Sequence, residues 1–318
     1  MLPRRILHIP LQFKSFLKAA FSICLAFFCI QFFIPAWESL RLSQRLETVS
    51  ITWLLAASAF LILYYLFGLL LWVTILRHLH SNVKIGVAFR AFSLALLPKY
   101  IPGKILAHGI RAQLCVNAGV PIATALNSLL IEALFAVGSA AVLSLPLLFI
   151  YQSLGSDYLL IWVFGAGTVL LLLFLRSQKN FASLLLDTKP SQQYTTVFTY
   201  ARILLDLTLL WFMIGLAHWC VANSFGSYTV WRIPDLIIAV AASWGLGVLA
   251  VFTPAGLGVR EASLYFLVQP FMDSADALLL ATLSRLLMFA VEIILSLIAW
   301  LCFSAPSSEP ETDLDAVL

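Results

Sequence analysis

At 318 residues, 62% of them hydrophobic and only 11% charged, the chain has a mean hydropathy of +1.00 and too little polar surface for a water-soluble globule. Its formal net charge of +4 comes from lysines and arginines spread among short connections rather than gathered in one patch, so no nucleic-acid partner is expected. These values imply an integral membrane protein, helical throughout because each isolated span must satisfy its own backbone hydrogen bonds.

The first apolar run, residues 17–36, follows Arg4, Arg5, Lys14 and Lys18 as a signal peptide would. It is long and lacks a small-x-small site before Trp37, so a retained anchor is expected. Further runs at about 51–76, 121–150, 157–176, 199–224 and 275–303 bring the expected full crossings to six, each near or above the ~20 residues a bilayer requires. The remainder is one membrane domain over 1–303 and an acidic, proline-containing tail, 304–318, expected to be disordered. The five cysteines mostly fall inside apolar segments without C-x-x-C spacing and read as small core hydrophobes.

Two stretches interrupt the apolar pattern: LPKYIPGK around Pro102-Gly103, and FTPAGLGVRE around Pro254-Gly256. Broken backbone at membrane depth is tolerated only where it is buried in protein or lines a polar cavity. Residues 85–97 and 104–117 are each too short to span, so the first break implies a re-entrant hairpin. The second break has a short arm at 257–270, but its arm from Leu236 to Phe252 approaches spanning length, which keeps an eight-crossing arrangement open.

Loop charge sets the orientation. Arg4, Arg5, Lys14, Lys18, Arg77, Lys84, Arg176, Lys179, Lys189 and Arg202 lie on one side, against Arg41, Arg45 and Arg232 on the other. This places both termini in the cytoplasm and requires hairpins of opposite orientation. Gly103 precedes Glu132 by 29 residues and Gly256 precedes Arg285 by the same 29. Together these describe an inverted duplication, repeat one at about 51–176 and repeat two at about 199–303, with a substrate site at the repeat interface.

A half-helix beginning after each break points its amino end, the positive end of its dipole, into the membrane, where an anion is the natural guest. The candidate binding residues are Lys104 and Arg111 near the first break and Arg260 near the second, with the neighbourhoods of Gly103, Gly256 and Gly258 supplying backbone donors. Lys99, Lys104 and Arg90 also fit a plainer role as snorkelling anchors of an interfacial hairpin, and the G-L-G run fits close packing. Ala136 with Ala140, and Ser243 with Gly247, have spacing for close helix contact.

Glu132, Asp206, Arg285 and Glu292 fall within spanning segments, where an exposed ion costs about 2.5–3.5 kcal/mol. Asp206 has a local partner in Arg202, four residues earlier. Glu132 and Arg285 are expected to pair across the repeat interface. With Glu292 and Glu261 they form a candidate ion network that either fixes helix register or couples transport to protons.

In their order, IPGK, Gly109, Arg111 and a helix with Glu132, followed by TPAGLGVRE and a helix with Arg285, resemble the flippase-like family of the lysylphosphatidylglycerol synthase transmembrane region. The resemblance covers roughly residues 10–303 and extends to the membrane module of the multiple peptide resistance factor. It implies a protein of a bacterial-type plasma membrane that moves, or helps to move, a lipid between leaflets, either an anionic phospholipid or a polyprenyl-phosphate glycan. The chain departs from the pattern in having Glu132-Ala133 where relatives have Glu-Arg, and in lacking the aminoacyl-transferring soluble domain. With scattered histidines and no catalytic constellation, neither an enzyme nor a cofactor is expected. The competing class is a membrane scaffold for envelope lipid or glycan biosynthesis enzymes.

Overall fold

A computed structural model of the chain describes residues 49–100, 105–147, 197–250 and 253–303. Eight α-helices account for nearly all of them, and no strand occurs among the described residues. They are α1 (Ile51–His78), α2 (Ile85–Leu94), α3 (Ile105–Val116), α4 (Ile122–Leu143), α5 (Val197–Asn223), α6 (Ile233–Leu249), α7 (Val259–Val268) and α8 (Ser274–Cys302).

Among the described residues, five helical stretches are long and apolar enough to cross a membrane: α1, α4, Leu205–Asn223 of α5, Val230–Leu249 and α8. Four of the six expected crossings therefore fall on α1, α4, α5 and α8; those at 17–36 and 157–176, and the tail at 304–318, lie outside the described residues. The long helices expose Ile51, Leu55, Leu205, Leu286 and Leu297 on one side. On the other they bury Leu61, Trp72, Ile214, Leu280 and Leu295, so each offers one face to lipid and one to its neighbours.

The short helices are different. At a rise of about 1.5 Å per residue, α2, α3 and α7, of 10, 12 and 10 residues, cannot cross a hydrocarbon core ~30 Å thick. The first break therefore has two short arms, as expected. The second does not: α6 has 17 residues and, with the turn before it, reaches spanning length, because Pro234 opens the helix early and nothing interrupts it until Ala250.

Helix contacts follow one rule. Exchanging α1 with α5, α2 with α6, α3 with α7 and α4 with α8 leaves the main pattern unchanged. Thus α3 packs between α2 and α4 as α7 packs between α6 and α8. Across the halves, α4 packs on α6 as α8 packs on α2, α1 lies along α5, and the turns at the two breaks touch. Polar side chains tie these contacts. Trp72 Nε1 donates to Ser128 Oγ at 3.0 Å, Trp211 Nε1 to Ser139 Oγ at 2.9 Å, and Ser296 Oγ to the Ser93 carbonyl at 2.8 Å.

Candidate functional site

The second break is built by left-handed backbone. Between α6 and α7, a 3-10 turn over Pro254–Gly256 carries Ala255 at φ 50° and Gly256 at φ 73°, and Gly258 follows at φ 81°. Glycine accepts this at little cost, whereas Ala255 bears a strain of about 1–2 kcal/mol. Gly256 is also a contact point: a Cβ there would lie 2.9 Å from Gly247 Cα and 3.0 Å from the Gly247 carbonyl oxygen. The break is thus pressed against α6. A Cβ on Gly247 would in turn lie 2.2 Å from Arg260 Cγ, so the arginine stem runs across bare backbone.

Gly258 caps α7. Its N–H donates to Glu261 Oε2 at 2.6 Å, one half of a capping box, so this backbone donor, expected to face a substrate, is engaged within the chain. Glu261 Oε1 stands 3.1 Å from Arg285 Nε on α8, and Arg285 Nη2 donates to the Ala255 carbonyl at 3.2 Å. One guanidinium therefore holds both the strained turn and the first turn of α7. Its Nη1 is buried and has no hydrogen-bond partner.

Among the described residues, Arg260 makes neither a hydrogen bond nor an ion pair. It lines a small, partly open cavity with Glu261, Arg285, Ser243, Ser284 and His218. His218 Nδ1 lies 2.7 Å from the Ile214 carbonyl, which can only accept. That fixes the proton on Nδ1 and leaves Nε2 without this tie. Two guanidiniums against one carboxylate give the cavity an excess positive charge, while the hydroxyls of Ser243 and Ser284 donate to the Val240 and Ala281 carbonyls. Such a lining suits a phosphate.

At the first break, Gly103 and Lys104 lie outside the described residues. The preceding 3-10 turn, Pro98–Tyr100, carries Lys99, whose Nζ is 2.5 Å from Glu292 Oε1 on α8. Tyr65 of α1 donates its hydroxyl to the same oxygen. Glu292 has no solvent exposure, and its Oε2 has no hydrogen-bond partner. Lys99 Nζ lies 5.3 Å from the centre of the Tyr100 ring, and Arg285 Cζ lies 5.1 Å from it. Tyr100 is thus shared between the two breaks.

Arg111 is held elsewhere. Its Nη2 is 2.7 Å from Glu132 Oε2, and its guanidinium stacks on Trp72 at 3.8 Å and Phe92 at 4.7 Å. The expected pair between Glu132 and Arg285 is therefore corrected: Glu132 bonds Arg111 and Arg285 bonds Glu261. The reason is topological. Glu132 and Arg285 each face the short helix just before them in sequence, whereas across the halves α4 packs on α6 and α5, and α8 on α2 and α1. With Ala133 beside it in sequence, Glu132 takes its cation from Arg111 of the preceding helix. Asp206 takes its local partner as expected, 3.0 Å from Arg202 Nε.

Sequence reasoning left three participants out of the site: Lys99 as a partner of Glu292, Tyr65 and His218. Counting charges could have found the first, since pairing Arg111 with Glu132 and Arg285 with Glu261 leaves Glu292 needing a cation. Among the described residues, no group of three or more His, Cys, Asp or Glu side chains is placed to hold a metal.

Compared with known families, residues 16–296 match the model of the lysylphosphatidylglycerol synthase TM region. No curated protein matches the chain.

Proposed function

The chain belongs to the lysylphosphatidylglycerol synthase TM region family, and from that premise we propose that it moves an anionic lipid between leaflets, with the cavity at the second break as the headgroup site. The cargo is an anionic phospholipid or a lipid-phosphate-linked glycan. The observation that carries this reading is Arg260, a cation without an anionic partner beside the half-engaged Arg285. An arginine at membrane depth is costly unless a partner or water meets it, and such residues usually mark a substrate path.

The fold adds support. The exchange symmetry of helix contacts, the equal spacing of Glu132 and Arg285 from their breaks, and the touching turns fit an inverted repeat. In that plan α2–α3 is re-entrant, both termini are cytoplasmic and the host is a bacterial-type plasma membrane. Arg111, stacked and paired, holds α3 to α4, while Arg260 and Arg285 meet the headgroup.

The test is translocation in proteoliposomes of fluorescent phosphatidylglycerol, a neutral lipid and a polyprenyl-phosphate sugar, with wild type and Arg260→Gln. Movement of an anionic lipid that is lost in the variant supports the reading. If folded protein moves none of the three, the transport reading falls and a scaffold for envelope enzymes takes its place.

A further inference from the structure

Among the described residues, Lys99–Glu292 is the ion pair that joins one half of the molecule to the other. Its two members differ in access, since the Lys99 side chain is 28% exposed and that of Glu292 is sealed. Tyr100 links the pair to the cavity, with Lys99 and Arg285 against the same ring. Lys99 and Arg285 thus meet the same ring, and Arg285 lines the cavity where it and Arg260 would hold an anion.

We propose that Lys99 and Glu292 form a proton-linked latch: an anion entering the cavity draws Lys99 away from Glu292, and Glu292 takes up one proton. The inference rests on reading that cavity as an anion site. Once drawn to the anion, Lys99 no longer neutralises Glu292, and a carboxylate deprived of its cation in a sealed site is not retained as an ion. Tyr65 continues to donate to Oε1, so the added proton sits on Oε2, the oxygen that has no hydrogen-bond partner among the described residues. One anion and one proton enter together, and charge is conserved within the site.

The surroundings of Glu292 allow this. Tyr64 and Tyr65 face it from α1, and Lys99 and Tyr100 from the first break. Arg285 lies seven residues earlier on α8, with Arg260 and Glu261 of α7 and His218 of α5 beyond it around the cavity. From α2, the Ser93 carbonyl reaches the same helix at Ser296. Of these, Lys99 alone is in ion-pair contact with Glu292.

The probe is a phosphodiester, whose charge does not change near neutrality. Dihexanoyl phosphatidylglycerol, and dimethyl phosphate as the headgroup chemistry without chains, are titrated calorimetrically into the full chain in nanodiscs. Buffers of different ionisation enthalpy are used between about pH 6 and pH 8, with protein-free discs as the blank. Wild type should take up close to one proton per anion bound, its affinity rising about tenfold for each pH unit lowered. Glu292→Gln should bind with no proton uptake and no such slope. Uptake with either probe supports the latch and tells a lipid requirement from recognition of phosphate alone. Binding by wild type without uptake, or uptake that persists in Glu292→Gln, overturns the latch and leaves the anion site standing. If neither probe binds, the anion site and the latch fall together. The wild-type slope needs no variant, so a poorly folding Glu292→Gln does not rescue the idea.

Discussion

Glu132 and Arg285 stand the same 29 residues beyond the glycine of their respective breaks, carry opposite charge, and are each paired back to the short helix before them. The two halves thus use one architectural device with reversed polarity: Arg111 of α3 to Glu132 of α4, and Glu261 of α7 to Arg285 of α8. The consequences differ. Arg111 is enclosed by Trp72, Phe92 and Glu132, whereas Arg285 keeps an unbonded Nη1 beside a cavity and a second, unpaired arginine.

The pairing can be tested by reversal. Arg111→Glu and Glu132→Arg should each destabilise the protein by about 3–5 kcal/mol, because each leaves like charges in a buried contact. The double reversal should recover a large part of that loss in thermal unfolding. Joint reversal of Glu132 and Arg285 should recover nothing, and recovery there would restore the cross-repeat pair that the geometry excludes.

The spanning helices and the first break were legible in the sequence because lipid imposes a length on apolar runs and a conspicuous signature on interruptions. Glu132 and Arg285, both half-buried, were legible as ions in need of a partner, since a charge inside a span must meet one or water. Which partner was not, because partner choice depends on helix rotation and on which helices touch, and spacing along the chain records neither. Lys99 looked like a snorkelling anchor for the same reason: its pairing with Glu292 joins residues 193 positions apart. Gly247 was read as a close-packing residue and is one. What it packs against, the Arg260 stem and the turn at Gly256, required the folded chain.

Gly247 should therefore control the position of Arg260. Gly247→Ala puts a methyl where Arg260 Cγ now lies, 2.2 Å away, and the flexible stem gives before the helix does. The expected result is a folded protein whose phosphatidylglycerol binding drops nearly as far as in Arg260→Ala. Gly256→Ala should behave differently, because its added atom meets backbone at 2.9 Å with φ at 73°. Two penalties combine there, and stability itself should fall by about 1–3 kcal/mol. Comparing unfolding temperature with binding for the two variants separates displacement of a ligand from damage to the turn.

Arg260 itself makes no hydrogen bond or ion pair among the described residues. Replacing it with glutamine removes an uncompensated charge, so the variant should unfold at the same temperature as wild type or higher, while losing the stabilisation that an anionic lipid confers on wild type. Arg285→Gln should lower the unfolding temperature even without lipid, since it releases Glu261 and the Ala255 carbonyl together. Equal losses in the two variants without lipid would mean that Arg260 is a structural residue.

The α2–α3 hairpin makes a prediction about sidedness. Its arms of 10 and 12 residues cannot each cross ~30 Å, so its two ends should face the same compartment. Single cysteines at Ser81, before α2, and at Asn117, after α3, introduced with all five native cysteines (Cys24, Cys29, Cys115, Cys220 and Cys302) replaced, should both react with a membrane-impermeant maleimide from one side and be protected from the other. By contrast, α6 is long enough to cross alone, so Arg232 and Ala250 at its ends test whether the second hairpin enters as deeply as it could. Labelling of Ser81 and Asn117 from opposite sides would require the two short helices to cross as one interrupted span. The relation between the first break and Glu292 would then have to be redrawn around a continuous path.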